Sequence, residues 1–106
     1  RRYNLRAPIF GHIGDGNLHP CLICDRTDAE MMQRVRQAAG EIFAAAIELG
    51  GTLTGEHGIG LAKRDYLARA LDPVARQQML AIKRLFDPNN ILNPGKIFAE
   101  TEIRGK

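Results

Sequence analysis

The chain has 106 residues, a formal net charge of +3 at pH 7 and an ordinary globular composition, which is enough for one domain with a modest core and not for two. The positive excess lies partly at the two ends, and no basic stripe with interleaved aromatic residues points to nucleic acid. No apolar run is as long as a membrane span, and the first residues lack the apolar core of a signal peptide.

The first predicted element is a β-hairpin over about residues 5–23, with Asp15-Gly16 as its two-residue turn. A type I′ turn needs positive φ at both central positions, and Asp and Gly accept that conformation most readily. Counting outward from this turn places His12 directly opposite His19, and directly opposed residues share a face of the sheet. The sequence therefore predicts two adjacent imidazole rings that one metal ion can bridge.

The same register pairs Ile13 with Leu18 on the opposite face, where we expect them to be buried. A packed or hydrogen-bonded histidine pair without a metal is the structural alternative for this hairpin. A slip of one residue would send the two rings to opposite faces and remove the basis for a metal site.

Two cysteines, Cys21 and Cys24, lie in the apolar, β-branched run that follows the hairpin turn. Residues three apart on a strand point to opposite faces, so the two sulfur atoms should diverge. A disulfide or a zinc knuckle is therefore disfavoured, and reduced thiols indicate a cytoplasmic protein.

A long amphipathic helix is predicted to begin at Asp28, since Thr27-x-x-Glu30 matches a capping box, and to end at Gly50-Gly51. Apolar residues recur along it at helical spacing, and this face should pack on the hairpin sheet. The face comprises Met31, Val35, Ala39, Ile42, Phe43, Ala46 and Leu49.

The C-terminal half predicts a second amphipathic segment over 61–71 and then a helix that starts at Asp72-Pro73 and stops at 87–90. The apolar face of that second long helix comprises Ala75, Met79, Ile82 and Phe86. Residues 91–98 should form an apolar loop or short strand, and the remaining residues a tail. With the β-prone run 52–54 as a further strand, the fold class is α+β, a small antiparallel sheet packed against two amphipathic helices.

A glycine-rich stretch, residues 55–60, places Glu56 and His57 side by side among three glycines. Its glycine spacing does not match a dinucleotide-binding fingerprint or a phosphate loop. Glycines permit close approach of a ligand to the backbone, but an ordinary glycine-rich turn with exposed charges explains the stretch equally well.

These residues combine into one candidate site. If His12 and His19 hold a metal, Glu56 is the best anionic third ligand, since Asp15 lies too far along the hairpin and suits the turn itself. His57 is then left as a base for a metal-chelated hydroxyl. The same parts suit metal-assisted hydrolysis, and the spacing does not separate the two reactions.

Three motifs in order, Gly11–Pro20, Thr54–Gly60 and Phe86–Lys96, closely resemble the C-terminal part of FAD-linked oxidases. The glycolate oxidase FAD subunit and D-lactate dehydrogenase group, within the vanillyl-alcohol oxidase type of flavoproteins, is the most similar. The resemblance implies oxidation of a D-2-hydroxy acid to a 2-oxo acid by hydride transfer to FAD.

The resemblance also assigns roles to single residues. It implies that His12, His19 and Glu56 ligate a divalent metal, zinc or manganese, which chelates the substrate hydroxyl and carboxylate. It implies that His57 is the general base of the reaction.

The same resemblance places Asn93 and Lys96 near the flavin. Cys21 stands where the hydroxyglutarate relatives have an Asn for the substrate carboxylate. This departure favours glycolate or D-lactate over D-2-hydroxyglutarate.

In such flavoproteins the FAD-binding domain lies upstream, and this chain opens with Arg1 in place of Met. We therefore expect residues 1–106 to be a piece of a longer flavoprotein that alone binds no FAD and has no turnover. A quinone, a cytochrome, a partner iron–sulfur subunit and oxygen all stay open as electron acceptors, and the expected location is the cytoplasm or the inner-membrane surface.

Two alternative functions, from other classes of protein than the oxidases, are also open. The chain could be a self-contained metal-binding or metallohydrolase module. It could instead be a structural domain that mediates homodimer or partner-subunit contacts, with incidental histidines. Unchanged turnover with intact folding, on changing His57 to Ala in the full-length protein, would favour the structural role.

Overall fold

The computed structural model describes residues 2–104 of the chain. Those residues contain a two-stranded antiparallel sheet and four α-helices, so the predicted α+β class is confirmed. The chain divides into two compact units, Arg1–Ala45 and Ala46–Lys106, which are described separately below as the first and second unit. No described helix has the length and apolar character of a membrane span.

The first unit holds the hairpin, formed by β1 (Ile9–His12) and β2 (Asn17–Pro20). An isolated bridge joins Arg6 to Ile23, and the Ile23 N–H donates to the Arg6 carbonyl at 2.9 Å. The bridge continues the β1–β2 register toward the hairpin base, beyond Pro8, whose nitrogen carries no hydrogen to donate. The predicted extent of the hairpin, about 5–23, is therefore confirmed.

The predicted two-residue turn is wrong, because the connection is a four-residue loop, 13–16. The His12 carbonyl accepts from the N–H groups of Asp15 (3.3 Å) and Gly16 (3.0 Å). Only Gly16 of these loop residues has positive φ, at 74°, whereas a type I′ turn needs two such residues. The Asp15 carboxylate instead accepts from the Asn17 N–H at 3.0 Å, which is the turn-stabilising role predicted for it.

This wider loop also overturns the expected burial of the apolar pair. Ile13 lies in the loop and is 99% exposed, and Leu18, now opposite Gly11, is 64% exposed. Neither side chain contributes to a core in the described residues, because the register no longer pairs them.

The long helix α1 spans Ala29–Glu48, one residue after its predicted start. Asp28 is its N-cap, with a carboxylate that accepts from the Met31 N–H at 2.9 Å. The predicted capping box does not form, because the N–H and hydroxyl of Thr27 both donate to Asp25.

The helix ends at the glycine pair, as predicted. Gly50 has a φ of 79° and donates to the Ile47 carbonyl, and the Gly51 N–H donates to the Ala46 carbonyl at 2.8 Å. These two bonds form a Schellman motif, for which a left-handed glycine is the best residue.

The apolar face of α1 is only partly as predicted. Leu49, assigned to that face, is 87% exposed, and Ala38 is the most buried residue of the helix at 7%. Within the first unit the hairpin arms and this helix line a common cavity of about 320 Å³, and the packing of the predicted face on the hairpin sheet stays a prediction. Its lining includes Leu5, Ala7, Leu22, Ala38 and Ile42.

In the second unit, the run 52–54 is irregular, so the predicted further strand is wrong. The segment predicted as helical over 61–71 is helical only from a 3₁₀ turn at Arg64–Tyr66 into α2, Leu67–Ala70. Helix α3, Pro73–Phe86, begins and ends where predicted. Asp72 caps it by accepting from the Val74 N–H at 2.8 Å.

The predicted apolar face of α3 is only partly correct, because Met79 packs against the core of the second unit and the other members are exposed. Ile82 and Phe86 are 56% and 77% exposed, whereas Arg76 and Lys83 are half-buried. Arg76 pairs with Glu102 and Lys83 with Asp87, so both cations lie against carboxylates of the second unit.

The core of the second unit is built around three buried side chains, Leu67, Phe98 and Ile103, with partly buried apolar residues against them. Ile103 belongs to α4, Glu100–Arg104, so the predicted tail is wrong for these residues. A helix of five residues is too short to show a periodicity. Gly105 and Lys106 lie outside the described residues.

Candidate functional site

The hairpin register places the two predicted metal-ligating histidines diagonally. His12 pairs with Asn17, and His19 pairs with Phe10, so the predicted direct pairing of the histidines is wrong. Because the partner of His12 differs from the prediction by two residues, an even number, both rings still lie on one face. Their ring centroids are 5.4 Å apart, and the ring planes cross at 76°.

Phe10 contacts one of these rings, an interaction that the predicted register does not contain. Its ring stacks on His19 with a centroid distance of 5.2 Å and an interplanar angle of 25°. In the observed register Phe10 is directly opposite His19, so the correct turn length would have revealed this pair. Stacking of this kind restricts the imidazole to a narrow range of orientations.

Gly11 lies between Phe10 and His12 in β1. It is close to the backbone of the opposite strand. A Cβ atom at this position would lie 2.2 Å from the Asn17 carbonyl oxygen. The close approach of the two strands beside the histidines therefore requires glycine.

The predicted third ligand and the predicted base lie in the second unit. Glu56 and His57 are adjacent, exposed residues of the glycine-rich loop 55–60. Gly58 and Gly60 have φ values of 74° and 54°, so this loop uses conformations that other residues adopt only with strain. The ligand role of Glu56 and the base role of His57 stay predictions.

The residues predicted to lie near the flavin, Asn93 and Lys96, are both exposed in the loop 87–98. The Lys96 N–H donates to the Asn93 carbonyl at 3.2 Å. Both residues line one cavity of about 310 Å³, whose other walls include Met79, Ile82 and Leu92. The loop character of this segment is confirmed, and its cofactor role stays a prediction.

Asp87 begins this loop and is a functional candidate, although its sequence context predicts only a helix stop. Its side chain is 4% exposed and accepts from the N–H groups of Ile91 and Leu92, each at 2.9 Å, as well as from Lys83 Nζ. The Lys83 ammonium also donates to the Leu92 carbonyl at 2.6 Å. The hydrogen bond from Lys83 is the main reason that the pKa of Asp87 lies below its usual value.

Two further contacts hold the far end of the loop. Arg64 Nη1 donates to the Gly95 carbonyl at 3.0 Å, and the Ile97 N–H donates to the Gly60 carbonyl at 2.9 Å. The second bond joins the loop that carries Asn93 to the loop that carries His57. The two predicted functional segments of the second unit are therefore directly linked.

The donor set fits the predicted chemistry. The hairpin offers two imidazole nitrogens on one face, and imidazole nitrogens with a carboxylate suit zinc or manganese while leaving coordination positions open for a substrate. The two cysteines are free, Cys21 exposed and Cys24 partly buried.

Comparison with known proteins gives a family match over most of the chain. The family described as FAD linked oxidases, C-terminal domain, matches residues 1–97. Glycolate oxidase subunit GlcD of Bacillus subtilis is 52% identical over 99 residues, which cover 93% of this chain and 21% of that protein.

Two other relatives carry dehydrogenase names. D-lactate dehydrogenase of Anaerostipes hadrus is 48% identical over 89% of this chain and 20% of its own length. D-2-hydroxyglutarate dehydrogenase of Stutzerimonas stutzeri is 43% identical over 85% of this chain and 20% of its own length. The chain thus spans about a fifth of the length of the curated relatives it matches.

Proposed function

Because the chain belongs to the C-terminal domain family of the FAD linked oxidases, we propose that it is the substrate-side domain of a flavin-dependent 2-hydroxy-acid dehydrogenase or oxidase. Residues 1–106 form part of a longer flavoprotein whose FAD-binding domain is a separate region. The substrate is a small D-2-hydroxy acid of the glycolate or D-lactate type, which the names of two similar proteins support. The same-face histidine pair of the hairpin is the observation that carries this proposal.

His12, His19 and Glu56 hold a divalent cation in the proposed enzyme. Each offers one ligand atom, an imidazole nitrogen or a carboxylate oxygen. When bound, the cation acts as a Lewis acid toward the substrate and FAD accepts the hydride. The stacked Phe10 ring restricts the orientation of His19, so the hairpin presents this nitrogen with less freedom to lose.

His57 is the general base. As the C2–H bond of the substrate breaks, the His57 imidazole would take the hydroxyl proton while the carbon–oxygen double bond forms. The glycines around His57 leave space for the substrate to approach this ring. Asn93 and Lys96 lie near the flavin and contribute polar groups to its surroundings.

The flavoprotein works with a partner in this proposal. One similar protein is named a subunit of glycolate oxidase, which supports assembly with other chains. An iron–sulfur subunit that accepts the electrons is the partner we propose.

The test uses the purified full-length flavoprotein with a dye acceptor, and glycolate, D-lactate and D-2-hydroxyglutarate as substrates. Wild type should oxidise glycolate or D-lactate in preference, and a chelator should abolish turnover. His57→Ala should lower kcat about 10²- to 10⁴-fold while the bound metal and the flavin spectrum stay unchanged. His12→Ala and His19→Ala should lose both metal and turnover.

The His57 variant should therefore lose turnover alone, whereas the two hairpin variants should lose metal as well. Unchanged turnover of His57→Ala in a folded protein would contradict its role as the base. Full metal content in both hairpin variants would contradict the metal site. Turnover of none of the three acids by a flavin-loaded wild type would contradict the proposed substrate class.

A further inference from the structure

Four residues of the loop 87–98 in the second unit have a left-handed backbone conformation. Asn90, Asn93 and Ile97 have φ values of 51°, 50° and 66°, and Gly95 has 72°. Asn accepts this conformation in turns, but a β-branched residue such as Ile does so rarely and at a cost. Such strain persists only where the surrounding structure imposes it, and it is concentrated at functional sites.

The surrounding contacts account for how this conformation is imposed. At the start of the loop, Asp87 accepts from the N–H groups of Ile91 and Leu92 and from Lys83. Lys83 also binds this turn directly, because its ammonium donates to the Leu92 carbonyl. A buried carboxylate with three donors, one of them charged, is a strong local organiser of backbone.

At its end the loop is fixed by the Arg64 contact to Gly95 and by the Ile97 bond to Gly60. The next residue, Phe98, is buried at 3% in the core. Asn93 and Lys96 project as exposed residues between these fixed ends and line the cavity described above.

We propose that Asp87, with Lys83, is a positioning residue that holds Asn93 and Lys96 in the geometry the flavin requires. This inference rests on the proposed function and extends it to residues that do not touch the reacting atoms. A helix C-terminus alone does not need this arrangement, because the Asp87 carboxylate binds residues four and five positions further along the loop. The pair therefore shapes the loop that follows the helix.

The test is Asp87→Asn in the full-length flavoprotein. The asparagine side chain has nearly the same shape as aspartate but lacks the negative charge. Its NH₂ group would face one of the donors from which the Asp87 carboxylate accepts a hydrogen bond. We expect the dissociation constant of FAD to rise about tenfold and kcat to fall about 10- to 100-fold, as for a displaced positioning group. The KM for the hydroxy acid should change less than kcat, and the flavin absorption bands should shift.

Lys83→Met is the second variant, since it keeps the two backbone contacts of Asp87 and removes only the ammonium. It should cause a smaller change in the same direction. Glu48→Gln, at an exposed position in the last turn of α1, removes the same charge and should match wild type. Hydrogen exchange at the amides of Ile91 and Leu92 reports on the order of the loop independently of catalysis.

Several outcomes would overturn the inference. Faster exchange at Ile91 and Leu92 in Asp87→Asn, with FAD affinity and kcat unchanged, would show that loop order does not matter to the flavin. If Asp87→Asn does not fold, wild-type values in Lys83→Met would overturn it instead. A wild type that binds FAD but oxidises no 2-hydroxy acid would contradict the proposed function, while the affinity and exchange measurements would still decide the role of Asp87.

Discussion

Two carboxylates of the second unit each collect several donors. Asp87 is held by Lys83 and by two backbone N–H groups. Glu102 accepts from the Ala99 N–H at 2.9 Å and pairs with Arg76. Partial burial opposes ionisation of Glu102, but these two donors still bring its pKa below the usual value. The lowered pKa of Asp87 has the Lys83 hydrogen bond as its largest cause.

These shifts predict how the stability of the chain depends on pH. A carboxyl group whose pKa is lower in the folded state than in the unfolded state stabilises the fold above the unfolded pKa, about 3.9 for Asp and 4.3 for Glu. The stabilisation is lost as the pH falls through the folded pKa. Thermal melts should therefore show a constant melting temperature above about pH 5 and a decline at lower pH.

Asp87→Asn separates this contribution from general acid denaturation. The variant should be less stable than wild type at pH 7, and the difference should narrow toward pH 3. Glu48→Gln, in which an exposed carboxyl is removed, should follow wild type throughout. Parallel curves for wild type and Asp87→Asn at all pH values would show that this carboxylate contributes nothing to acid stability.

At the scale of elements, the hairpin shows why a wrong turn can leave a site on the correct face. Side chains alternate across a strand, so moving the partner of His12 from His19 to Asn17 changes the neighbour but not the face. The diagonal arrangement keeps the rings within reach, since long and aromatic side chains span diagonal positions. Whether the two imidazole rings share a face thus depends on whether the register changes by an even number of residues, and less on the turn type.

The contact of Gly11 predicts a sharp difference between two glycines of this hairpin. In Gly11→Ala the added methyl group would meet the Asn17 carbonyl, so the strands must separate. Gly14→Ala is the matched control, because a Cβ atom there meets nothing within 4 Å. We expect Gly11→Ala to lower the free energy of unfolding by about 1 to 3 kcal/mol and to weaken metal binding in the flavoprotein.

Urea unfolding and titration with zinc or manganese measure the two effects. Gly14→Ala should leave both values close to wild type. Equal behaviour of the two variants would mean that the close strand approach does not shape the histidine pair.

Asn90 offers a test of the strained loop. Its φ is 51°, and both polar atoms of its side chain are buried without a hydrogen-bond partner among the described residues. Asn90→Gly keeps the left-handed conformation without strain, whereas Asn90→Ala places a Cβ atom where it is disfavoured by about 1 to 2 kcal/mol. The glycine variant should therefore unfold at higher urea concentration than the alanine variant. Identical midpoints would show that the backbone relaxes at this position.

Local signals in the sequence were sufficient for the elements that depend on nearby residues. The Asp72 cap of α3 and the glycine stop of α1 follow from side-chain and backbone chemistry within a few residues. The buried face of α3 was not accessible in this way, because Arg76 turns inward to meet Glu102, 26 positions further along the chain. Periodicity counts apolar residues and cannot include an ion pair of that range.

In the candidate site, too, sequence patterns predict some features, and others depend on tertiary contacts. The motifs indicated Glu56 and His57 and the two hairpin histidines from sequence alone. The stacking of Phe10 on His19 required the correct register, and the role of Asp87 required knowledge of which backbone groups it meets. Contacts of this kind are set by tertiary structure, so sequence patterns identify the chemistry of the residues better than their geometry.

Across the described residues, few apolar side chains are buried and several large ones are exposed. The buried cluster of the second unit contains three residues, whereas Leu49, Leu85, Phe86 and Ile91 are each at least 74% exposed. Soluble proteins rarely leave large apolar patches uncovered unless they bind something. These exposed side chains and the much greater length of the relatives support the proposal that further regions of the flavoprotein cover some of them.

The 106-residue chain and the full-length flavoprotein should differ in how they bind FAD. The cavity beside Asn93 and Lys96 is about 310 Å³, at the lower limit for ligand pockets of roughly 300 to 1,000 Å³ that enclose most of a bound molecule. It therefore suits a portion of a flavin better than a whole dinucleotide. The isolated chain should show no flavin absorption after purification with added FAD, no turnover of glycolate or D-lactate, and strong binding of an apolar dye. The full-length protein, prepared in the same way, should retain FAD and bind less dye per molecule. A flavin spectrum retained by the isolated chain would mean that this domain alone contains the cofactor site.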